Sequence, residues 1–141
     1  MKKRIGPDGV HFFDRANGNN ILINELLLPE ADWTVAPRQI SVALTNICDL
    51  HCKFCYAPKI KAILPFDYLK KWLKEIDQLG TFGVGFGGGE PTLYPKFAEI
   101  CEFTANETDL AVTFTTHGHR LTDDLLSHLK GNVHFIRISI D

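Results

Sequence analysis

From residue 39 onward the hydrophobic positions alternate between two rhythms. Residues 40–44, Ile40-Ser41-Val42-Ala43-Leu44, form an apolar, β-prone run. Phe66, Leu69, Trp72, Leu73, Ile76 and Leu79 then recur at the spacing of one helix face, and Gly80 predicts where that helix stops. Residues 81–86 read as a glycine-interrupted strand leading into Gly87-Gly88-Gly89-Glu90-Pro91. Phe97, Ile100, Cys101 and Thr104 predict a second helix, and residues 110–116 a third strand. A third helix follows over 123–130 with Thr122 as its N-cap, and a fourth strand over 133–140. Strands and helices in strict alternation predict βαβ units and an α/β fold with a parallel sheet.

The first 38 residues follow a different pattern. Short β-prone runs at 10–14 and 21–24 flank Asn17-Gly18, a pair favoured in tight turns, and predict a β-hairpin. Pro29, Trp33 and Pro37 read as an extended linker. The chain therefore divides into an N-terminal extension, 1–38, and a core, 39–141. The extension is expected to cover one end of the core or to dock a partner. An eight-unit barrel takes about 250 residues, or roughly 30 per βα unit. At that rate the core holds four strands and three helices, so the expectation is a parallel barrel or open sheet cut off after its fourth strand.

Composition narrows the class. The chain has 141 residues, 45% apolar and 23% charged, the mix of an ordinary globular protein. Lys plus Arg is 15 against Asp plus Glu 17, a formal net charge of −2, so no basic field favours nucleic acid as partner. The apolar stretches fall short of the roughly 20 residues that span a bilayer. Met1-Lys2-Lys3-Arg4 is followed by Ile5-Gly6-Pro7-Asp8, without the apolar core of a signal peptide. A soluble cytoplasmic protein without membrane partners is the expectation.

In parallel α/β sheets ligands gather at the C-terminal ends of the strands, and the unusual residues fall there. Cys48, Cys52 and Cys55 follow the first strand in a Cys-x3-Cys-x2-Cys array, while Cys101 stands alone. Three thiolates on one loop can hold three irons of a 4Fe–4S cubane and leave the fourth iron open to a small molecule. The alternative is a closed zinc site, completed by His51 from within the same loop. Asp49, His51 and Lys53 make the loop too polar to be buried core. Gly88, Gly89 and Glu90 follow the second strand. Glycines admit close backbone approach, and a neighbouring carboxylate suits a cationic amine. A tight turn with a solvated Glu is the plain reading of the same residues.

Taken together, Cys48-x3-Cys52-x-Phe54-Cys55 and Gly88-Gly89-Glu90-Pro91 make residues 39–141 resemble the radical S-adenosylmethionine (SAM) enzymes. Thr115-Thr116-His117-Gly118 is similar to that family's Thr-Asn-Gly ending of the third strand, with His117 in place of Asn. Ser139-Ile140-Asp141 looks like its Ser-Leu/Ile-Asp ending of the fourth. The resemblance implies a partial parallel (β/α)6 barrel that supplies the first four strands. It also implies a 4Fe–4S cluster on Cys48, Cys52 and Cys55, with SAM on the open iron. Phe54 would lie near the adenine, and Gly88, Gly89 and Glu90 would hold the methionyl amino group. Ser139 and Thr115 would face the ribose or carboxylate side. The implied activity is reductive cleavage of SAM to a 5′-deoxyadenosyl radical that abstracts hydrogen from substrate, with electrons from a flavodoxin- or ferredoxin-type donor. The pattern looks most like members that modify peptides or build cofactors. Two alternatives stand beside it: a non-catalytic zinc or iron–sulfur module, and an inactive fragment of such an enzyme.

The remaining chemistry-bearing residues read more simply. Cys101 shares an apolar helix face with Phe97 and Ile100 and is expected to pack. His117 and His119 lie on the ligand-binding rim, as chemical groups or as a polar border. Lys53, Lys59 and Lys61 make the stretch after the cysteines basic. Lys70, Lys71 and Lys74 form the wet face of the first helix, and Asp67 suits its positive end. His11, His128 and His134 have no constellation around them.

Overall fold

The computed structural model describes residues 1–58 and 60–140. The extension is a three-stranded antiparallel sheet of β1 (Lys2–Gly6), β2 (Gly9–Phe13) and β3 (Asn20–Ile23), in that order. The predicted hairpin is β2–β3, paired from Val10↔Ile23 to Phe13↔Asn20. β1 extends that prediction, pairing with β2 from Lys2↔Phe13 to Gly6↔Gly9. Its sequence, KKRIG, carries one large apolar residue, too few to show a strand periodicity.

The core alternates as its pattern predicts: β4 (Gln39–Thr45), α1 (Phe66–Gln78), β5 (Gly83–Gly88), α2 (Phe97–Glu107), β6 (Ala111–Thr116), α3 (Asp123–Leu129) and β7 (Phe135–Ile138). The four strands form one parallel sheet in the order β4-β5-β6-β7. Two backbone bonds close α1, from Gly80 N–H to Asp77 O (3.0 Å) and from Thr81 N–H to Ile76 O (3.1 Å). Thr122 caps α3, its hydroxyl accepting the Leu125 N–H at 3.2 Å. No helix among the described residues is long and apolar enough to cross a membrane.

Strand alternation gives the sheet two dissimilar faces. Val42, Leu44, Val84, Phe86, Val112 and Phe114 are buried under the helices, against Leu69, Leu73 and Ile76 of α1 and Phe97, Ile100 and Cys101 of α2. Phe97 meets Phe114 edge-on at 5.0 Å. Cys101 is fully enclosed and burial pushes its thiol pKa up, as suits a packing residue. Truncating a buried leucine here, such as Leu73, costs about 2–5 kcal/mol. Over β4, β5 and β6 the opposite face carries small residues, with Phe135 and Arg137 at its β7 edge. Ser41, Gly85, Thr113 and Phe135 form one rung across it by register. A Cβ added at Gly87, on the next rung with Ala43, would meet nothing within 4 Å.

The extension closes the floor, where the parallel strands begin. Arg15 Nη1 donates to Thr108 O (2.7 Å) and Leu110 O (3.1 Å), just ahead of β6. The rings of His11 and Phe13 pack on Phe82, ahead of β5. Lys2 pairs with Asp77 near the end of α1, and Arg4 Nη1 donates to Gly80 O at 3.4 Å. Of the two expected roles, the geometry shows the first: the extension covers one end of the core.

Candidate functional site

The opposite rim, at the strand C-termini, gathers the loops after β4, β5 and β6. The cysteine loop leaves β4 and is pinned where it returns. Asn46 N–H donates to Ala62 O (2.9 Å), Thr45 Oγ1 to Ala62 O (2.9 Å), and Leu64 N–H to Leu44 O (3.0 Å). Both ends of the loop are thus held by the end of one strand. Within it Cys48 and Cys52 are half-buried and Cys55 is exposed. Leu50 N–H points at Cys48 Sγ, 3.4 Å away, and Cys55 N–H donates to Cys52 O at 3.2 Å.

The glycines after β5 make a junction with this loop. Gly89 N–H donates to Thr45 O at 2.7 Å and Glu90 N–H to Ile47 O at 2.8 Å. A Cβ on Gly88 would lie 2.1 Å from Thr45 O, and one on Gly89 2.2 Å from Ile47 O. Gly88 also has φ +126°, a conformation that residues with a Cβ rarely adopt. The cysteine loop's own backbone makes a close approach to these two glycines.

Glu90 is 1% exposed, and its carboxylate turns inward. Oε1 accepts from Thr92 N–H (3.1 Å), Thr92 Oγ1 (2.6 Å) and Thr116 Oγ1 (2.8 Å). Oε2 accepts from the His117 backbone N–H at 3.1 Å, with His117 Nε2 3.4 Å away. One buried carboxylate therefore joins the ends of β5 and β6. Such an arrangement is stable because donors meet both oxygens.

His117 reaches onward from β6 to the cysteine loop. Its Nε2 lies 2.8 Å from Asp49 Oδ1, and Arg120 Nη1 lies 3.6 Å from Asp49 Oδ2. Burial raises the Asp49 pKa, but the His117 hydrogen bond, a backbone hydrogen bond and the Arg120 charge together outweigh it and hold the carboxyl below its ordinary range. Cys48 Sγ, an Asp49 oxygen and a His117 ring nitrogen all lie within 4.8 Å of one another. The imidazole brought to a cysteine of the loop is thus His117, from another strand, while His51 is exposed on the loop.

Of the candidates read from the sequence, Cys48, Gly88, Gly89 and Glu90 meet at this junction. Phe54 stands 69% exposed on the outer part of the loop with Cys55. Thr115 alternates onto the small-residue face, beside Arg137 in register. Ser139 donates its backbone N–H to Thr116 O at 2.9 Å. Lys59 and Asp141 lie outside the described residues. Asp49, Thr92, Thr116 and Arg120 are additions from the structure. Strand alternation holds a signal for Thr116: it shares the side of buried Phe114, whereas Thr115 shares that of Thr113.

The donor chemistry fits an iron–sulfur cluster. The loop carries three thiol side chains, two half-buried and one exposed, in contrast to fully buried Cys101. A thioether-free, carboxylate-poor set of soft sulfur donors suits iron–sulfur chemistry better than hard cations.

Known proteins of related sequence and fold place the chain in a family. Over 110 residues the chain is 36% identical to the S-adenosylmethionine-dependent nucleotide dehydratase of Flammeovirga pacifica, covering 72% of this chain and 38% of that one. It is 31% identical over 110 residues to the mycofactocin maturase MftC of Mycobacterium tuberculosis, covering 75% and 28% respectively. The structure of Streptococcus suis SuiB bound to precursor peptide SuiA superposes with a TM-score of 0.75, covering 99% of this chain and 46% of SuiB at 14% identity. SuiB bound to S-adenosylmethionine gives 0.63 over 75% of this chain and 24% of that one, at 21% identity. The chain thus spans less than half the length of each of these proteins. The model of the Radical SAM superfamily matches residues 42–141, from β4 through the rim loops to the end of the chain, and the chain belongs to that superfamily.

Proposed function

We propose that this chain forms the cluster- and SAM-binding part of a radical SAM enzyme. The observation that carries the reading is the junction at the rim: a three-cysteine loop pinned at both ends and seated on Gly88-Gly89 with no room for a side chain between them. Cys48, Cys52 and Cys55 are the residues to hold a 4Fe–4S cluster, leaving one iron for SAM. When bound, that cluster supplies the electron that splits SAM into methionine and a 5′-deoxyadenosyl radical able to take hydrogen from a substrate.

The chain's own residues do the placing. Gly88 and Gly89 bring backbone rather than side chains to the rim, where the methionyl amino group would sit. Glu90 fixes their turn from within through Thr92 and Thr116, and its charge favours an ammonium group nearby. Phe54 offers an aromatic face for adenine, while Thr115 and Ser139 stand at the ends of β6 and β7 for the ribose or carboxylate. The small-residue face at Ser41, Gly85 and Thr113 leaves space for substrate beside them.

A peptide or cofactor precursor is the proposed substrate class, supported by the names of MftC and of SuiB's bound peptide. A flavodoxin- or ferredoxin-type donor would supply electrons, in a reducing cytoplasm that suits thiolate ligands. The test is anaerobic purification of the protein that carries this chain, with iron, sulfide and zinc analysis and EPR with and without SAM. The expected result is iron with sulfide and a reduced-cluster signal that SAM alters and Cys52→Ala abolishes. Stoichiometric zinc without sulfide, or a cluster signal that SAM leaves unchanged, would overturn the reading.

A further inference from the structure

The junction between the cysteine loop and β6 turns on one imidazole. His117 Nδ1 accepts the His119 backbone N–H at 3.1 Å, which leaves the ring hydrogen on Nε2. That Nε2–H is directed at Asp49 Oδ1, 2.8 Å away, with Glu90 Oε2 at 3.4 Å on its other side. Asp49 is the residue after Cys48, and Cys48 Sγ shares a 4.8 Å neighbourhood with both groups. The His117 side chain is only 10% exposed, and Glu90 behind it is 1% exposed.

These observations separate the contact from an ordinary surface pair, which solvent weakens until it contributes little. The residue is fixed from three directions: by the His119 N–H on its ring, by its own position at the end of β6, and by Glu90 Oε2, which accepts its backbone N–H at 3.1 Å. Asp49, at 41% exposure, is the more exposed member, which such a fixed donor can hold. Arg120, 3.6 Å from the second Asp49 oxygen, adds a weaker tether to the same carboxylate.

We propose that His117 is a positioning residue: through Asp49 it straps the Cys48 end of the cysteine loop to the end of β6 and so sets how firmly the loop holds its cluster. The inference rests on the cluster reading above and deepens it. Partners that orient the residues around a ligating side chain commonly change metal affinity 10- to 100-fold when removed. The strap depends on an N–H donor at the reach of Nε2, a reach that glutamine matches and phenylalanine fills without a donor.

The test uses the protein loaded anaerobically with iron and sulfide, in four variants: His117→Phe, His117→Gln, Asp49→Ala and the Phe/Ala double. Iron released to a ferrous chelator is followed with time, and the reduced cluster is examined by EPR. The expected outcome is release at least about tenfold faster in His117→Phe and in Asp49→Ala, with altered EPR line shapes. The double variant then behaves like the worse single, because the two residues share one interaction. His117→Gln stays close to wild type. A wild-type rate in His117→Phe, additive effects in the double, or a glutamine variant as leaky as phenylalanine would each overturn the strap while leaving the cluster reading intact. If His117→Phe fails to fold, Asp49→Ala and His117→Gln decide: a wild-type release rate in Asp49→Ala overturns the proposal. A wild-type protein that takes up zinc without sulfide overturns the cluster reading, and the strap with it.

Discussion

The two ends of the parallel sheet are closed by different kinds of contact. At the floor, long side chains reach to carbonyl groups: Arg15 to Thr108 and Leu110, Arg4 to Gly80, Lys2 to Asp77. Each arm has several rotatable bonds, so a small displacement of the extension can be absorbed without loss of the hydrogen bond. At the rim, backbone meets backbone at Gly89–Thr45 and Glu90–Ile47, and the next contact inward is a buried carboxylate. Those backbone contacts have no comparable freedom to adjust. The comparison teaches that attachment and placement need different chemistry. The floor has only to stay closed, whereas a site that directs a reaction must hold its loops within a fraction of an ångström.

Adding one carbon at the rim perturbs its backbone junction most strongly. In Gly89→Ala the new Cβ would sit 2.2 Å from Ile47 O and 2.6 Å from Ile47 C, so the cysteine loop has to move. The expected cost is about 3 kcal/mol, the upper range for overpacking, together with loss of bound iron. Chemical denaturation and iron analysis measure the two effects. Normal iron content in a folded Gly89→Ala protein would show that the loop finds its position without this junction.

Glu90 comes next. Glu90→Ala removes the acceptor for Thr92 N–H, Thr116 Oγ1–H and His117 N–H. About 2 kcal/mol is the expected loss, since donors left unsatisfied in a buried site cost more than a solvent-exposed bond returns. Glu90→Gln keeps one oxygen for the Thr92 and Thr116 donors and is expected to lose about half as much. Urea midpoints of the two variants distinguish them. Equal midpoints would mean that water fills the space and satisfies the donors.

The strand–helix order of the core is legible because each element buries one face, and burial leaves a period in the sequence. Leu69, Leu73 and Ile76 are the plain case, all buried on α1. β1 is not legible that way, since Lys2 and Arg4 work through their polar ends and only Ile5 is a large apolar residue. At the site, the cysteine array and the glycines can be read because their chemistry is local. What Glu90 touches cannot, because Thr116 and His117 lie 26 and 27 residues away and only the β5–β6 pairing brings them near. Asp49–His117 is harder still, spanning 68 residues between loops that neither periodicity nor a motif relates.

The floor gives smaller effects that should leave the rim untouched. Arg15→Ala uncovers the Thr108 and Leu110 carbonyls to water rather than trapping them, so about 1 kcal/mol is expected, with iron content unchanged. Loss of iron in that variant would show that the two ends are coupled through the sheet.

The finest distinction is a pH dependence confined to the floor. His134 Nδ1 accepts the Val112 N–H at 3.0 Å, and burial, then the neighbouring Arg15 guanidinium, hold its pKa below the ordinary 6.5. The unfolded chain therefore takes up this proton more readily than the folded one. The contribution to stability is complete above about pH 6.5 and is lost as the pH falls through the depressed folded value. The urea midpoint is expected to drop slightly from about pH 7.5 to about pH 5.5, by less in His134→Gln, which keeps an acceptor but does not titrate. Comparing wild type with the variant removes the background from the other histidines. Arg15→Ala should reduce the same increment, because it removes a charge that opposes protonation of His134. An increment that survives Arg15→Ala unchanged would assign the depression to burial alone and detach Arg15 from the titration, though not from the carbonyls it caps.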